Sequence, residues 1–186
     1  MSIFRLRQKF RCRAALQSMR VLVLDVDGVL TDGGLFYGEN GEVNKRFDVR
    51  DGLGIRLLQQ AGIEVVFFSG GKAGAIEIRA QHLGIRHCFF GVRDKAEGMF
   101  RLLTHLLVTA DEVAFVGDDL NDLAVRPYVG LLVATADATD PLRRQSDLVL
   151  NAKGGHGAVR ELAELILKRR GLWTALAENG WRDRND

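Results

Sequence analysis

A short apolar run that ends in two acidic residues limits the possible folds of this chain more than any other feature. Four apolar residues at positions 21–24 are followed by Asp25-Val26-Asp27-Gly28. Such a run, bounded by polar residues, is typical of a parallel strand that is buried on both faces. In open α/β sheets the carboxyl ends of the strands form the ligand site. We therefore expect Asp25 and Asp27 to lie at the mouth of a binding crevice.

Length and composition are those of one globular domain. The 186 residues are 47% hydrophobic and 27% charged, with a formal net charge of +2, which suits a chain with a full core. So small a charge gives no indication of a nucleic-acid or membrane partner, and no stretch reaches the ~18 apolar residues of a membrane span. Cys12 and Cys88 have neither metal nor redox spacing, which is typical of a reducing compartment. We predict a cytoplasmic protein with unpaired cysteines.

Three regions differ in composition. Residues 1–18 form a basic N-terminal extension with five basic residues and no acidic one. This composition favours an extended translation start or a frayed basic helix over a transit peptide or a nucleic-acid-binding arm. Residues 19–170 form the main domain. Residues 171–186 form a C-terminal tail that is polar enough to be loose.

Strand and helix patterns alternate along the main domain, which predicts an α/β fold. We expect a Rossmann-like parallel sheet with helices on both faces. The predicted strands are 21–24, 64–68, 87–90, 113–116, 130–133 and 147–150, and the predicted helices are 53–61, 72–83, 94–107, 158–170 and a short one that ends before Pro127.

A small β-hairpin flap is predicted above the crevice. Asn40-Gly41 lies between two short runs, and both residues tolerate the positive φ of a tight turn. Only this hairpin and one helix lie between Asp27 and Ser69, so no large cap domain fits there.

Polar residues follow four of the predicted strands. They are Asp25 with Asp27, Ser69 with Gly70, Lys95, and Asp118 with Asp119 and Asp122. Each cluster alone is explained by turn or helix-cap chemistry, but parallel strands place their carboxyl ends at one edge of a sheet. Close carboxylates at Asp25 and Asp118 repel each other unless a cation lies between them, and Mg²⁺ suits an all-oxygen site. A serine and a lysine at the same edge suit a phosphate group.

The order D-x-D, S-G, K, G-D-D-x-x-D is similar to that of the haloacid dehalogenase-like phosphohydrolases. Within them, D-V-D-G-V-L-T-D-G, F-D-V-R-D-G-L-G-I-R and G-G-H-G-A-V-R-E resemble the 3-deoxy-D-manno-octulosonate 8-phosphate phosphatase family. The resemblance covers about residues 19–170. It implies a Mg²⁺-dependent phosphomonoesterase that hydrolyses a phosphorylated sugar acid during lipopolysaccharide biosynthesis.

The resemblance implies two different roles for the acids of the opening motif. Asp25 is the expected nucleophile, which forms an aspartyl-phosphate. Asp27 is expected to protonate the leaving group and then to accept a proton from water. The side chains of Asp25 and Asp118 and the backbone carbonyl of Asp27 are the expected Mg²⁺ ligands.

Other residues of the motifs are expected to support this chemistry. Ser69, Gly70 and Lys95 correspond to the residues that hold the phosphoryl oxygens. Asp119 and Asp122 correspond to residues that orient the metal-bound water and Lys95.

A second set of positions corresponds to family contacts with the sugar acid. They are Asp48, Val49, Arg50, Asp51, Gly52, Arg56 and Arg79. A substrate with both a phosphate and a carboxylate needs a second cationic region, although arginines on helices are usually solvated.

The resemblance also implies a ring-shaped homotetramer in which a glycine-rich segment enters the active site of a neighbour. Gly155, Gly157 and Arg160 are the residues expected to do so; a flexible helix N-terminus is the simpler interpretation. This chain has Gly71 where the family usually has an arginine that contacts the substrate. Lys72 is beside it, but a lysine does not reproduce a bidentate arginine.

Three alternatives stay open. The first is a phosphatase of a nine-carbon, sialic-acid-like ulosonate 9-phosphate, which the glycine at position 71 permits. The second is a receiver-type signalling domain, but its phosphorylated aspartate follows the third strand, where this chain has Phe89-Phe90-Gly91. The third is a non-hydrolytic subunit of a larger complex, against which the second acid at Asp27 argues.

Overall fold

The computed structural model describes residues 12–180 and contains two sheets within that range. Most of the predicted N-terminal extension, and residues 181–186 of the predicted tail, lie outside the described residues. The strands are β1 (Val21–Leu24), β2 (Phe36–Tyr37), β3 (Val43–Asn44), β4 (Glu64–Phe68), β5 (His87–Phe89), β6 (Val113–Gly117), β7 (Leu131–Ala134) and β8 (Leu148–Val149). The larger sheet has the order β5-β4-β1-β6-β7-β8, and every pair in it is parallel.

The strand β1 lies at the centre of this sheet, between β4 and β6. Its four side chains are buried and alternate between two core layers, with Leu22 and Leu24 in one layer and Val21 and Val23 in the other. Side chains of a strand alternate between its two faces, so helices must cover both. The predicted Rossmann-like architecture is confirmed.

Helices cover both faces of the sheet. They are α1 (Val49–Gln60), α2 (Ala75–His82), α3 (Lys95–Leu106), α4 (Asp140–Gln145), α5 (Ala158–Arg169) and α6 (Trp173–Asn179). Apolar residues of α1, α2 and α5 share the layer of Leu22, while those of α3 and α4 share the layer of Val23. The helices α1 and α5 pack so closely that a Cβ at Gly54 would lie only 3.0 Å from the Cα of Arg160. The absence of a side chain at Gly54 permits this approach.

The predicted hairpin is formed by β2 and β3, which pair antiparallel. Gly41 in its turn has φ +85°, a conformation that glycine adopts without strain. Phe36 and Tyr37 on the hairpin are exposed. Between β1 and β4 the chain forms only this hairpin and α1, as predicted, and no large cap domain is present there.

Local predictions differ from the structure in several places. The helix α2 begins at Ala75, three residues later than predicted. The prediction that Pro127 ends a helix is wrong, because a 3₁₀ helix spans Leu120–Tyr128 and includes it; the fixed φ of proline is compatible with that conformation. The helix α1 begins at Val49, earlier than predicted, because Asp48 accepts a hydrogen bond from the N–H of Arg50. The helix α4 was not predicted, although Thr139 before Asp140-Pro141 is a helix-start signal.

The C-terminal tail is not loose where the structure describes it. Trp173 begins α6 and packs against the core. The guanidinium of Arg160 and the ammonium of Lys168 lie 5.5 and 5.0 Å from the centre of its ring, within the range of a cation–π contact. Among the described residues, no helix has both the length and the apolar character needed to cross a membrane. Cys12 and Cys88 are free thiols, as predicted.

Candidate active site

The predicted acidic, serine and lysine side chains meet at the carboxyl edge of the sheet. They line a cavity of about 210 Å³ together with the loop after β4 and the start of the 3₁₀ helix. Its lining residues are Asp25, Asp27, Ser69, Gly70, Gly71, Lys95, Asp118, Asp119 and Asn121. Asn121 is the one lining residue among these that the motifs did not indicate. A larger cavity of about 460 Å³ lies at the opposite edge, beside Arg20 and Glu64, and includes none of these groups.

Three carboxylates lie within reach of a single ion. One oxygen from each of Asp25, Asp118 and Asp122 lies within 4.8 Å of the other two. Gly28 makes this approach possible, since it has φ +85° and a Cβ there would lie 2.0 Å from Asp118 Oδ2. The glycine of the D-x-D-G motif is therefore required by both its backbone conformation and the position of Asp118.

The carboxylates at this edge are buried and lie close enough to repel one another. Burial and, second, the charge of Asp122 raise the pKa of Asp25 to about 7, although Lys95 opposes the shift. Burial and the charges of Asp25 and Asp122 raise the pKa of Asp118 to about 8. A divalent cation offsets such repulsion, and carboxylate oxygens are the ligands that Mg²⁺ prefers. The residues present therefore fit a magnesium ion.

Lys95 forms a buried ion-pair network beside the nucleophile. Its Nζ lies 2.5 Å from Asp122 Oδ1 and 3.1 Å from Asp25 Oδ1, and its side chain is 2% exposed. Burial lowers the pKa of Lys95, but the charges of Asp25 and Asp122 raise it by more.

Asp122 connects this lysine to the loop that carries Asp118. Its Oδ2 accepts hydrogen bonds from the N–H groups of Asp118 and Asp119, at 2.9 and 3.2 Å. Both of its oxygens are thus engaged, one with Lys95 and the other with this loop. The predicted role of Asp122 in orienting Lys95 stays a prediction. Asp119 accepts a hydrogen bond from the N–H of Leu120 at 2.7 Å and begins the 3₁₀ helix.

The loop after β4 presents a serine and two glycines to the cavity. Ser69 is buried, and its Oγ accepts a hydrogen bond from the N–H of Gly71 at 3.0 Å. A Cβ at Gly71 would lie 3.2 Å from both Asp27 Oδ2 and Ser69 Oγ. The position without a side chain therefore lies directly beside the predicted acid–base residue.

A residue outside the lining of this cavity was also missed by the motifs. Lys45, next to β3, places its Nζ 2.5 Å from Asp27 Oδ1. The available signal was a lysine at the end of the second run of a hairpin that was itself predicted to lie above the crevice.

Five of the seven residues predicted to contact the sugar acid line a different cavity, and Asp48 and Asp51 are not among its lining residues. Its volume is about 240 Å³, and its lining residues are Val49, Arg50, Gly52, Leu53, Arg56, Arg79, His82 and Leu83. Arg50 forms a bidentate contact with Asp48, at 3.1 and 2.8 Å, which lowers the pKa of Asp48. Burial lowers the pKa of Arg79, whose guanidinium lies 5.8 Å from the ring centre of Phe47. Within one chain, this cavity and the catalytic one share no lining residue.

Asp51 lies inside the protein and caps another helix. It is 1% exposed, and its oxygens accept hydrogen bonds from the N–H groups of Gly157 and Arg160, at 3.2 and 2.8 Å. Burial raises its pKa to about 6, although these two bonds lower it. The carboxylate thus satisfies N–H groups at the start of α5, where negative charge is favoured.

The glycine-rich segment packs against the nucleophile loop of its own chain. A Cβ at Gly154 would lie 1.7 Å from the carbonyl oxygen of Gly28, and Gly155 donates a hydrogen bond to Val29 O at 2.9 Å. The Arg160 side chain pairs with Glu164 at 3.0 Å. The predicted entry of this segment into a neighbour's active site stays a prediction.

Comparisons with known proteins agree with this geometry. Residues 42–125 and 91–162 match two family models, each described as haloacid dehalogenase-like hydrolase. The 3-deoxy-D-manno-octulosonate 8-phosphate phosphatase of Escherichia coli strain K12 is 46% identical over 158 residues, covering 85% of this chain and 84% of the relative.

Two solved structures are also similar. The 3-deoxy-D-manno-octulosonate 8-phosphate phosphatase of Yersinia pestis has 41% identity and a TM-score of 0.85, covering 88% of this chain and 89% of that one. That of Moraxella catarrhalis, in complex with a magnesium ion, a phosphate ion and a KDO molecule, has 33% identity and a TM-score of 0.87, covering 91% and 98%. The chain therefore belongs to the haloacid dehalogenase-like hydrolases and, within them, to the 3-deoxy-D-manno-octulosonate 8-phosphate phosphatase family.

Proposed function

We propose that this protein is a Mg²⁺-dependent phosphomonoesterase that converts 3-deoxy-D-manno-octulosonate 8-phosphate to the free sugar acid and phosphate. One observation carries the proposal: two acids, a serine, a lysine and a third acid from four separate strand ends line one cavity. Identity of 46% to a phosphatase of that name supports the choice of substrate.

We assign the role of nucleophile to Asp25. A bond forms between its carboxylate oxygen and phosphorus while the bond from phosphorus to the sugar oxygen breaks, so that one difficult displacement becomes two easier ones. Lys95, 3.1 Å from Asp25 Oδ1, holds that oxygen and favours its ionised form.

We assign the proton transfer to Asp27. Its side chain is partly exposed, so it can reach both the leaving group and water. It donates a proton to the departing sugar oxygen and then accepts one from the water that hydrolyses the aspartyl-phosphate. Ser69, Gly70 and Lys95 provide donors for the phosphoryl oxygens as negative charge moves onto them.

A magnesium ion would be held by the side chains of Asp25 and Asp118 and the carbonyl of Asp27, and when bound it supplies positive charge next to the phosphate. Asp119 would orient water beside the ion. Asp122 maintains the position of Lys95 through the 2.5 Å contact.

The cationic cavity supplies the second region that a sugar acid requires. Arg50, Arg56 and Arg79 line it, and guanidinium groups bind carboxylates in a bidentate way. Asp48 positions Arg50, while Asp51 and Gly52 hold the first turn of α1 against its neighbours. Because this cavity and the catalytic one are separate in one chain, we propose that they meet across a homotetramer, with Gly155, Gly157 and Arg160 near the junction.

Gly71 keeps a second substrate in consideration. It lacks the arginine that the family usually has, and it lies beside Asp27. A nine-carbon ulosonate 9-phosphate is therefore the second candidate, because the arginine contact that the family usually makes with its substrate is absent here. The cytoplasmic location predicted above also stays a prediction.

The test is a panel of phosphorylated sugars hydrolysed by the purified protein with and without Mg²⁺. We expect Mg²⁺-dependent hydrolysis that is fastest for the octulosonate 8-phosphate and that disappears in Asp25→Asn. Faster hydrolysis of the nine-carbon ulosonate would select the second candidate. A plain hexose phosphate as the best substrate would refute the sugar-acid assignment, and no hydrolysis at all would favour a receiver or a non-hydrolytic subunit.

A further inference from the structure

The side chain of Lys45 extends from the base of the hairpin to the acid–base carboxylate. Its Nζ lies 2.5 Å from Asp27 Oδ1, and the lysine side chain is 9% exposed while that of Asp27 is 36% exposed. A lysine that is removed from water to this extent loses hydration free energy, which a charged partner must offset. Asp27 is that partner.

The two oxygens of Asp27 have different surroundings. Oδ1 is bound by Lys45. Oδ2 faces the loop after β4, since a Cβ at Gly71 would lie only 3.2 Å from it. That loop, together with Asp25 and Lys95, forms the wall of the catalytic cavity. One oxygen is therefore fixed to the hairpin, and the other faces the place where chemistry would occur.

The base of the hairpin is itself tied to the core of the domain. Arg46 donates a hydrogen bond to the carbonyl of Gly155 at 2.9 Å and lies 3.5 Å from Asp32. Gly155 in turn donates to Val29 O, in the nucleophile loop. These contacts connect Lys45 to the same loop that carries Asp27, so the lysine approaches the carboxylate from a supported backbone.

We propose that Lys45 is a positioning residue for proton transfer. It binds Oδ1 of Asp27 and so leaves Oδ2 as the oxygen that carries the proton to and from the leaving group. The reason is geometric: a proton donor acts only when it lies within hydrogen-bond reach of the departing oxygen, and small displacements of a catalytic group slow the reaction strongly. This inference rests on the proposed phosphatase function.

The test compares the hydrolysis of two substrates with different leaving groups by the variant Lys45→Met. Methionine retains an unbranched chain as long as the lysine side chain up to Cε and lacks the ammonium group. A sugar alkoxide must be protonated as it departs, whereas the p-nitrophenolate of p-nitrophenyl phosphate leaves without a proton. For Lys45→Met we expect kcat/KM to fall about 10- to 100-fold for the sugar acid phosphate and less than about 3-fold for the aryl phosphate. The quantity kcat/KM is used because it ends at the first irreversible step, the loss of the leaving group.

The ratio of the two kcat/KM values does not depend on the fraction of folded protein, since the same preparation is assayed with both substrates. Lys168→Met, on the exposed face of α5, is the matched control and should leave the ratio unchanged. Lys45→Arg retains a donor and should recover part of the loss. In an Asp27→Asn background, Lys45→Met should no longer change the ratio, because the group that it positions is absent.

An equal fall in kcat/KM for both substrates would overturn the proposal and make Lys45 a structural or phosphate-binding residue. A change in the ratio that persists in the Asp27→Asn background would also overturn it. Failure of the proposed function itself gives a different result, because the unmodified protein would then fail to hydrolyse the sugar acid phosphate, whatever its activity on the aryl phosphate.

Discussion

Replacing Asp51 with asparagine is expected to make the free energy of unfolding depend less on pH. Asp51 is 1% exposed and accepts hydrogen bonds from two N–H groups at the start of α5. Asparagine has nearly the same shape and cannot titrate. It retains one acceptor oxygen, but its amide NH₂ group would face a backbone N–H. We therefore expect the free energy of unfolding to fall by about 1–3 kcal/mol.

The pH dependence follows from the pKa of this carboxyl. Burial, the largest cause, raises the pKa of Asp51 from 3.8 to about 6. The folded protein therefore binds this proton more tightly than the unfolded chain does. The associated stability is fully present below the unfolded pKa and is lost as the pH rises through the folded pKa. Between about pH 4.5 and about pH 7.5 the loss in the unmodified protein amounts to about 2 kcal/mol.

The assay is urea unfolding of both proteins at these two pH values, with protein and Mg²⁺ concentrations held constant. We expect Asp51→Asn to be less stable than the unmodified protein at the lower pH, and we expect this difference in the free energy of unfolding to be about 2 kcal/mol smaller at the higher pH. Comparing variants cancels the titration of the other carboxyls. Asp140→Asn, at an exposed carboxylate, is the control and should stay within about 0.5 kcal/mol of the unmodified protein. A difference for Asp51→Asn that is equal at both pH values would refute the reasoning.

Three further predictions concern the catalytic edge. The pKa values of Asp25 and Asp118 are raised to about 7 and about 8, so protons compete with the metal for these carboxylates. The increase in melting temperature on adding Mg²⁺ should therefore be larger near pH 8 than near pH 6. An equal increase at the two pH values would contradict this. Gly28→Ala forces a Cβ to within 2.0 Å of Asp118 Oδ2, so kcat/KM for phosphate-ester hydrolysis should fall by about 100-fold or more, and near-normal activity would show that the loop adapts. Lys95→Met leaves Asp122 and Asp25 without their buried cation. Urea unfolding should therefore show a free energy of unfolding that is lower by about 3–5 kcal/mol. A decrease below about 1 kcal/mol would mean that other groups satisfy the two carboxylates.

Several features of the fold followed from the order of residues. The run before Asp25 predicted a buried central strand, because a strand covered on both faces must be apolar throughout. Asn40-Gly41 predicted the hairpin, because few residues accept positive φ. The convergence of Ser69, Lys95 and Asp118 on Asp25 followed from the rule that parallel strands share one carboxyl edge. All of these depend on local pattern or on general topology.

Other features depended on contacts between segments that are distant along the chain. The cap of α5 is a carboxylate from α1, 106 residues before Gly157, and nothing near Gly157 in the sequence indicates it. The helix α6 was missed although Ala175, Leu176, Ala177 and Glu178 favour a helix locally; its packing through Trp173 beside Arg160 and Lys168 is visible only in the tertiary structure. Likewise, the pairing of Lys45 with Asp27 depends on the direction in which the hairpin folds back.

The sequence by itself thus determined the α/β class, the family and the position of Asp25 and Asp27 at the end of a central strand. This was possible because the alternation of strands and helices, and the acids at strand ends, can be recognised from short stretches of consecutive residues. Only the tertiary structure decided that Asp122 also accepts hydrogen bonds from the loop of Asp118 and that Lys45 contacts one oxygen of Asp27. The physical reason is that ion pairing and burial depend on groups that lie within a few ångströms of one another in space. Such groups can come from segments that are far apart along the chain.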